Sequence, residues 1–250
     1  EKIAEAGKKY LPNVQCEACH GAGSEYKKLK ENFQGKGKDA FKEILKKDPD
    51  NKLYARGPRI RLSAEQLRDQ SLAVSNLLSK KMYGKPVMPF QPEGIWLSPY
   101  NGAVWQMSEG EDQYRRSVYT YWKRTAPYPS MITFDGGARA VCVTRRIRTN
   151  TPLQALTTLN DSSYLIMARH FAYRMQELGG KETTAQIQKG YEAMMYKPIP
   201  TTKLNTLIEL YNKATTTFNT DKEAACEMIG VDDKHNNPET AALVVVASAM

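Results

Sequence analysis

Histidine and cysteine are scarce in this chain: three of the first and four of the second in 250 residues. So few thiols exclude a disulfide-dense scaffold, and a chain of this length can bury a core without one. No apolar run approaches the roughly 18 residues that a membrane-crossing helix needs, which excludes a helical span. No Gly-rich phosphate loop, G-x-S-x-G elbow or H-E-x-x-H pair is present, so the best-marked phosphate, hydrolase and metalloprotease signatures are missing. Acidic residues are outnumbered, 27 against 36 Lys and Arg, giving a net charge of +9. That excess suits an acidic partner such as a polyanionic polymer, a membrane surface or an acidic redox protein. It is equally the mark of a lysine-rich solvated surface, and the lysines are spread over the first 80 residues. The run Arg145-Arg146-Ile147-Arg148 has no recognised nucleic-acid module around it, so no nucleic-acid partner is expected.

What is there is concentrated. Two of the four cysteines and one histidine stand together as Cys16-Glu17-Ala18-Cys19-His20. Two thiols separated by two residues can add across the two vinyl groups of one porphyrin, and the adjacent imidazole then reaches the iron as proximal ligand. The expected cofactor is one covalent haem c on Cys16, Cys19 and His20. A thioredoxin-like dithiol and half of a zinc site are the alternatives. Zinc would want a second Cys/His pair at similar spacing, whereas Cys142 and Cys226 are single and far apart. Those two cysteines could form a disulfide in an oxidising compartment or stay as free thiols.

Candidates for the iron's distal side are His170, Met82 and Met88. His170 lies in Ser163-Tyr164-Leu165-Ile166-Met167-Ala168-Arg169-His170, an expected amphipathic helix where a lone histidine is usually an ordinary core or surface residue. Met82 and Met88 fall in a Pro/Gly-rich loop at a spacing suited to an axial methionine, although methionines mostly fill gaps. His235, in a polar stretch, is expected to be solvated. A five-coordinate iron, or a ligand from another chain, is a further option.

The rest reads as helices joined by irregular chain. Ser63 and Gln66 form a capping-box pair, predicting a helix over 64–80 with Leu67, Ser71, Val74 and Leu78 in a stripe. Thr151 with Pro152 and Gln154 predicts a second start, Asn160-Asp161 a break, and Gly179-Gly180 a stop. Helices are expected near 182–195, 202–217, 221–229 and 238–250, the last capped by Asn237. Residues 82–112 are rich in Pro, Gly and aromatics. Trp96, Tyr100 and Trp105 could stack on sugar rings or anchor this loop to the core. Arg115, Arg116, Arg139, Arg145, Arg146 and Arg148 are the densest arginines. Arg115, Arg116, Arg145, Arg146 and Arg148 form a candidate anion site for a carboxylate, sulfate, phosphate or anionic polysaccharide. They could instead pair internally with Glu109, Glu111, Asp112 and Asp135.

The segments DPDNKLYARGPRIRLSAEQLRDQSLAVSNLL, PVMPFQPEGIW, YRRSVYTYWKRTAPYPSMITFD, CVTRRIRTNTPLQALTTLND and NPETAALVVVASAM resemble the C-terminal domain of planctomycete-type cytochrome c proteins. These are large exported proteins joining a cytochrome c module to domains of unknown function. The resemblance covers about residues 48–250 and implies that the chain continues a few residues past Met250. The front departs from the pattern. A large helical domain usually separates haem and C-terminal domain, and here about 25 residues do. The CEACHGAGSEY stretch is similar to one haem motif of a multihaem cytochrome, with Tyr26 where a histidine often serves a neighbouring haem.

The fold expected is mostly α: a short haem c-binding segment, residues 1–40, then an irregular, loop-rich helical domain, residues 41–250. The function expected is an exported c-type haem protein in electron transfer, linked to oxidation of polysaccharide or another extracytoplasmic substrate. Its partners would be a redox protein or other haem subunits. The alternative is a non-catalytic interaction or polysaccharide-binding subunit of a larger, multihaem assembly. An enzyme with its own haem chemistry would need an open iron site and a distal acid–base residue, and the sequence names neither. Covalent haem attachment takes place outside the cytoplasm. A periplasmic or extracellular location after removal of a signal peptide is therefore expected.

Overall fold

The computed structural model describes residues 42–43, 45–53, 61–94, 104–137, 139, 141–144, 146–230 and 235–250. The chain divides into two compact units, Glu1–Arg61 and Leu62–Met250. In the first, residues 45–47 are helical, and the Asp48 carboxylate ends that turn by accepting from the N–H of Lys52 (2.7 Å) and Leu53 (3.0 Å).

The second unit is helical and loop-rich. Its helices are α1 (Ala64–Val74), α2 (Pro129–Thr133), α3 (Pro152–Asn160), α4 (Ser162–Gly179), α5 (Thr183–Met195), α6 (Thr201–Thr220), α7 (Lys222–Ile229) and α8 (Pro238–Ala249). Two 3₁₀ turns, Gly110–Tyr114 and Ser117–Tyr119, lie between α1 and α2. No helix among the described residues is long and apolar enough to cross a membrane.

Local chemistry sets most of these ends. The Ser63 hydroxyl accepts from Gln66 N–H (3.3 Å), and the Gln66 amide oxygen accepts from Ser63 N–H (3.0 Å), so two helix-start donors are met. The predicted helix over 64–80 stops short, at Val74. Asn76 takes a left-handed conformation (φ 60°), its N–H donates to Ala73 O (3.2 Å), and Leu77 N–H reaches back to Leu72 O (2.9 Å). This is a Schellman stop with asparagine in the usual glycine position. Leu77 and Leu78 then continue the apolar face as irregular chain against the core. Asn76→Gly should raise stability by up to about 1 kcal/mol, because glycine adopts this φ without a Cβ clash. Asn76→Val should lower it, and urea midpoints would check both.

Helix α8 is the centre of the larger core. Ala241, Ala242, Leu243, Val244 and Val246 are buried on every side of it. A helix apolar all round has no solvent face and must be enclosed. Phe171, Ala172 and Met175 of α4, Phe218 of α6, and Ala225 and Ile229 of α7 enclose it, with Ile187 of α5 in the same cluster. Burying each large aliphatic side chain stabilises by roughly 1.5–3 kcal/mol. Inside this apolar wall Gln176 Nε2 donates to Thr240 Oγ1 (2.8 Å), so the hydroxyl is not orphaned. A second cluster, around Leu72, Tyr128, Met131, Phe134, Tyr164 and Met167, joins α1 and α2 to the front of α4.

The segment between α1 and α2 has little ladder to hold it. Among the described residues the bridges there are isolated ones, Ser79 to Arg115 and Val87 to Thr120. Two buried arginines supply the missing ties. Arg68 Nη1 and Nη2 donate to the carbonyls of Arg115 and Gln113, each at 2.8 Å. Arg115, 2% exposed, donates to the carbonyls of Lys81, Tyr83 and Lys85 and lies 3.9 Å over the ring of Tyr119. Five backbone acceptors are thus met by two planar forks, a geometry suited to arginine's fixed donors.

Candidate functional site

The expected haem ligands Cys16, Cys19 and His20 lie outside the described residues, as do Tyr26, Trp96, Tyr100 and Arg145. The distal candidates are all in the second unit. Met82 is exposed at a loop bend, where its sulfur accepts from the Tyr119 hydroxyl at 3.8 Å. Met88 is tied through its backbone: its N–H donates to Ser108 Oγ (2.9 Å) and its carbonyl accepts from Ser108 N–H (2.8 Å). His170 is exposed on α4, edge-on to Tyr173 with ring centres 5.6 Å apart. The other face of this small cluster is His235, stacked on Tyr173 at 4.0 Å. Beside it Asn236 Nδ2 donates to the Cys226 thiol at 3.1 Å. The gathering of His170 and His235 about one tyrosine was not visible in the sequence, where they lie 65 residues apart. Among the described residues no group of three or more His, Cys, Asp or Glu is arranged to hold a metal ion.

Cys142 and Cys226 are free thiols, Cys142 exposed and Cys226 half-buried. No disulfide joins them.

The arginines disperse into separate tasks. Arg115, itself buried, is committed to the backbone carbonyls of Lys81, Tyr83 and Lys85. Arg116 Nε pairs with Asp69 (3.3 Å), whose other oxygen accepts from Ser117 N–H (2.7 Å). Arg146 Nη1 grips both oxygens of Glu65, at 2.9 and 3.0 Å. Partial burial pushes the Glu65 carboxyl up, but a backbone hydrogen bond and the Arg146 guanidinium outweigh it and hold the group below the usual carboxylate range. The pair therefore supports the fold at neutral pH, and acidification through that lowered value removes its contribution. The Arg139 guanidinium lies over the ring of Trp122 at 4.6 Å. The ion pairs of Arg116 and Arg146 thus run to Asp69 and Glu65 on α1.

Trp105 anchors the aromatic loop. Its Nε1 donates to Pro89 O (2.9 Å), and its ring lies 6.4 Å from Tyr121 and 6.1 Å from Tyr128. Tyr128 in turn donates to Phe90 O at 2.7 Å. Burial pushes the hydroxyls of Tyr128 and Tyr164 above the ordinary tyrosine range.

The most unusual surface is around α3. Pro152 fills the first helical position and the Gln154 amide oxygen accepts from Thr151 N–H (3.2 Å), as the motif predicts. Gln154 is also the one buried residue of this helix. Its amide nitrogen donates to Thr133 O (3.0 Å), Asp135 Oδ2 (3.3 Å) and Thr149 Oγ1 (3.1 Å). Asp135, held at a left-handed φ of 61°, also accepts from Thr149 N–H at 2.7 Å. This polar knot fixes the face of α3 that meets the protein, and the leucines Leu153, Leu156 and Leu159 are left outside.

Residues 32–211 match the PSD1 family, described as "Protein of unknown function (DUF1553)". The chain belongs to this family. The PSD1 match takes in α1 to α5, the arginine ties and the knot at Gln154. It ends within α6, so α7 and α8 follow it. No curated protein and no solved structure matches the chain.

Proposed function

We propose that the chain is an exported, periplasmic or extracellular c-type haem protein that takes part in electron transfer, with a PSD1 helical unit as its scaffold. The observation that carries this reading is the donor set Cys16-x-x-Cys19-His20. Its chemistry fits one haem: the two thiols are spaced to form thioethers with the two vinyl groups, and the imidazole adjoins the second thiol. When bound, the haem supplies one-electron redox chemistry. The chain's own part is to tether it through Cys16 and Cys19 and to ligate the iron through His20 Nε2. A redox protein or other haem subunits would be the partners in transfer, and His170, Met82 and Met88 are the distal candidates.

The test is a pyridine haemochrome spectrum of protein matured in a host that attaches haem outside the cytoplasm. A c-type spectrum at one haem per chain is expected. Cys16→Ser/Cys19→Ser should leave no haem resisting acid–acetone extraction. A parent protein without the c-type band would sink the reading.

A further inference from the structure

We propose that the cavity between α1, α3, α4, α5 and α8 binds a neutral, largely apolar small molecule, and that the Tyr164 hydroxyl donates to an acceptor oxygen on it. This goes beyond the haem reading and does not rest on it.

The cavity measures about 460 Å³, within the range of small-molecule sites. It lies where the two apolar clusters meet. Tyr164 and Met167 belong to the cluster of α1 and α2, whereas Ala168 and Phe171, next on the same helix, belong to the cluster around α8. Leu67 and Val74 of α1 and Met194 and Met195 of α5 supply much of the remaining wall. Methionine is flexible and polarisable, so such a wall can adapt to the shape of an apolar guest. These residues stand on helices, so the fold rather than a loop holds the site in place.

The polar groups select the guest. Among the described residues lining the cavity, none has a charged side chain. An ion would lose hydration there without meeting a counter-charge, which favours a neutral molecule. Ser71 Oγ donates to Leu67 O (2.9 Å), Thr158 Oγ1 to Ala155 O (2.8 Å) and Gln70 Nε2 to Met194 O (3.4 Å). Those donors are committed to backbone carbonyls. Tyr164 is different. It is 8% exposed, and its ring is set edge-on to Phe134 with centres 6.2 Å apart. Its hydroxyl makes no hydrogen bond to the described residues. A buried hydroxyl without a partner costs free energy, and a carbonyl or ether oxygen on a bound molecule would remove that cost. The packing of the ring fixes this donor in advance, so binding has little left to order.

Three probes of closely similar shape test this on the full chain by equilibrium dialysis. They are 2-acetylnaphthalene, which has a carbonyl oxygen, 2-ethylnaphthalene, which lacks it, and 2-naphthoate, an anion. The ketone should bind at one per chain, and the anion far more weakly. Tyr164→Phe removes only the hydroxyl. It should weaken ketone binding about three- to tenfold and leave 2-ethylnaphthalene unchanged. Its urea midpoint should equal the parent's or exceed it, because no internal hydrogen bond is lost. Thr158→Trp brings a bulky ring to the cavity from a partly exposed position on α3. It should weaken both neutral probes about tenfold or more by filling their space. The proposal is overturned if the ketone does not bind, if the anion binds as well as the ketone, or if Tyr164→Phe affects the two neutral probes alike. It is also overturned if Thr158→Trp leaves both bound as before, or if Tyr164→Phe lowers the urea midpoint, which would mean that the hydroxyl already has an internal partner.

Discussion

Arg115→Met should cost about 2–3 kcal/mol of folding stability, one of the two largest losses expected from a single substitution in this chain. Methionine fills much of the same space, so the loss is not a cavity effect. What it removes are the donors by which a buried guanidinium holds the carbonyls of Lys81, Tyr83 and Lys85, three residues of an exposed loop. Each such bond to a charged donor contributes about 1 kcal/mol net or somewhat more, and water can replace part of it because the loop is exposed. Arg115→Lys should recover only part of the loss, because an ammonium group cannot span three acceptors with the reach of a planar fork. Urea unfolding followed by tryptophan fluorescence would measure both, with Trp105 and Trp122 reporting from the same region. Parent-like midpoints for the methionine variant would mean that the three carbonyls find other donors.

Gly179→Ala is expected to be comparably damaging, at roughly 2–4 kcal/mol. A Cβ added at Gly179 would sit 2.3 Å from both Cα and N of Gln186 on α5. Those are backbone atoms, so α4 and α5 would have to part. Gly190 is the informative comparison. A Cβ there would meet Met175 Cγ at 2.7 Å, but the obstacle is a flexible side chain that can swing away. Gly190→Ala should therefore cost clearly less than Gly179→Ala in parallel urea titrations. Equal costs would show that the hairpin between α4 and α5 opens freely.

Helix starts were the most legible part of the fold, because the signals are local. Ser63 with Gln66, Pro152 after Thr151, and Asn237 before Pro238 each place a donor and acceptor within three residues. Helix α8 was legible for another reason: a chain segment with no polar side can only be enclosed. The stop of α1 was misread because Leu77 and Leu78 keep the apolar period running after the helix has ended at Asn76. The arginine ties were not legible at all. Arg68 reaches carbonyls 45 and 47 residues away, and an arginine in sequence looks the same whether it faces water or the interior. The mounting of α3 was hidden too. Its leucine spacing suggests an inward stripe, and only the contacts from Thr133, Asp135 and Thr149 turn Gln154 inward instead. The haem motif is the reverse case. It is plain in the sequence, and the spectrum of the matured protein is the observation that bears on it.

The two arginine forks also make the unit selectively sensitive to one denaturant. Free guanidinium ion is a soluble copy of the side-chain head that binds these five carbonyls, and it can take its place as the chain loosens. Urea offers neutral amide donors and no such copy. The unit should therefore give way to guanidinium chloride at a lower concentration, relative to its urea midpoint, than buried area alone would set.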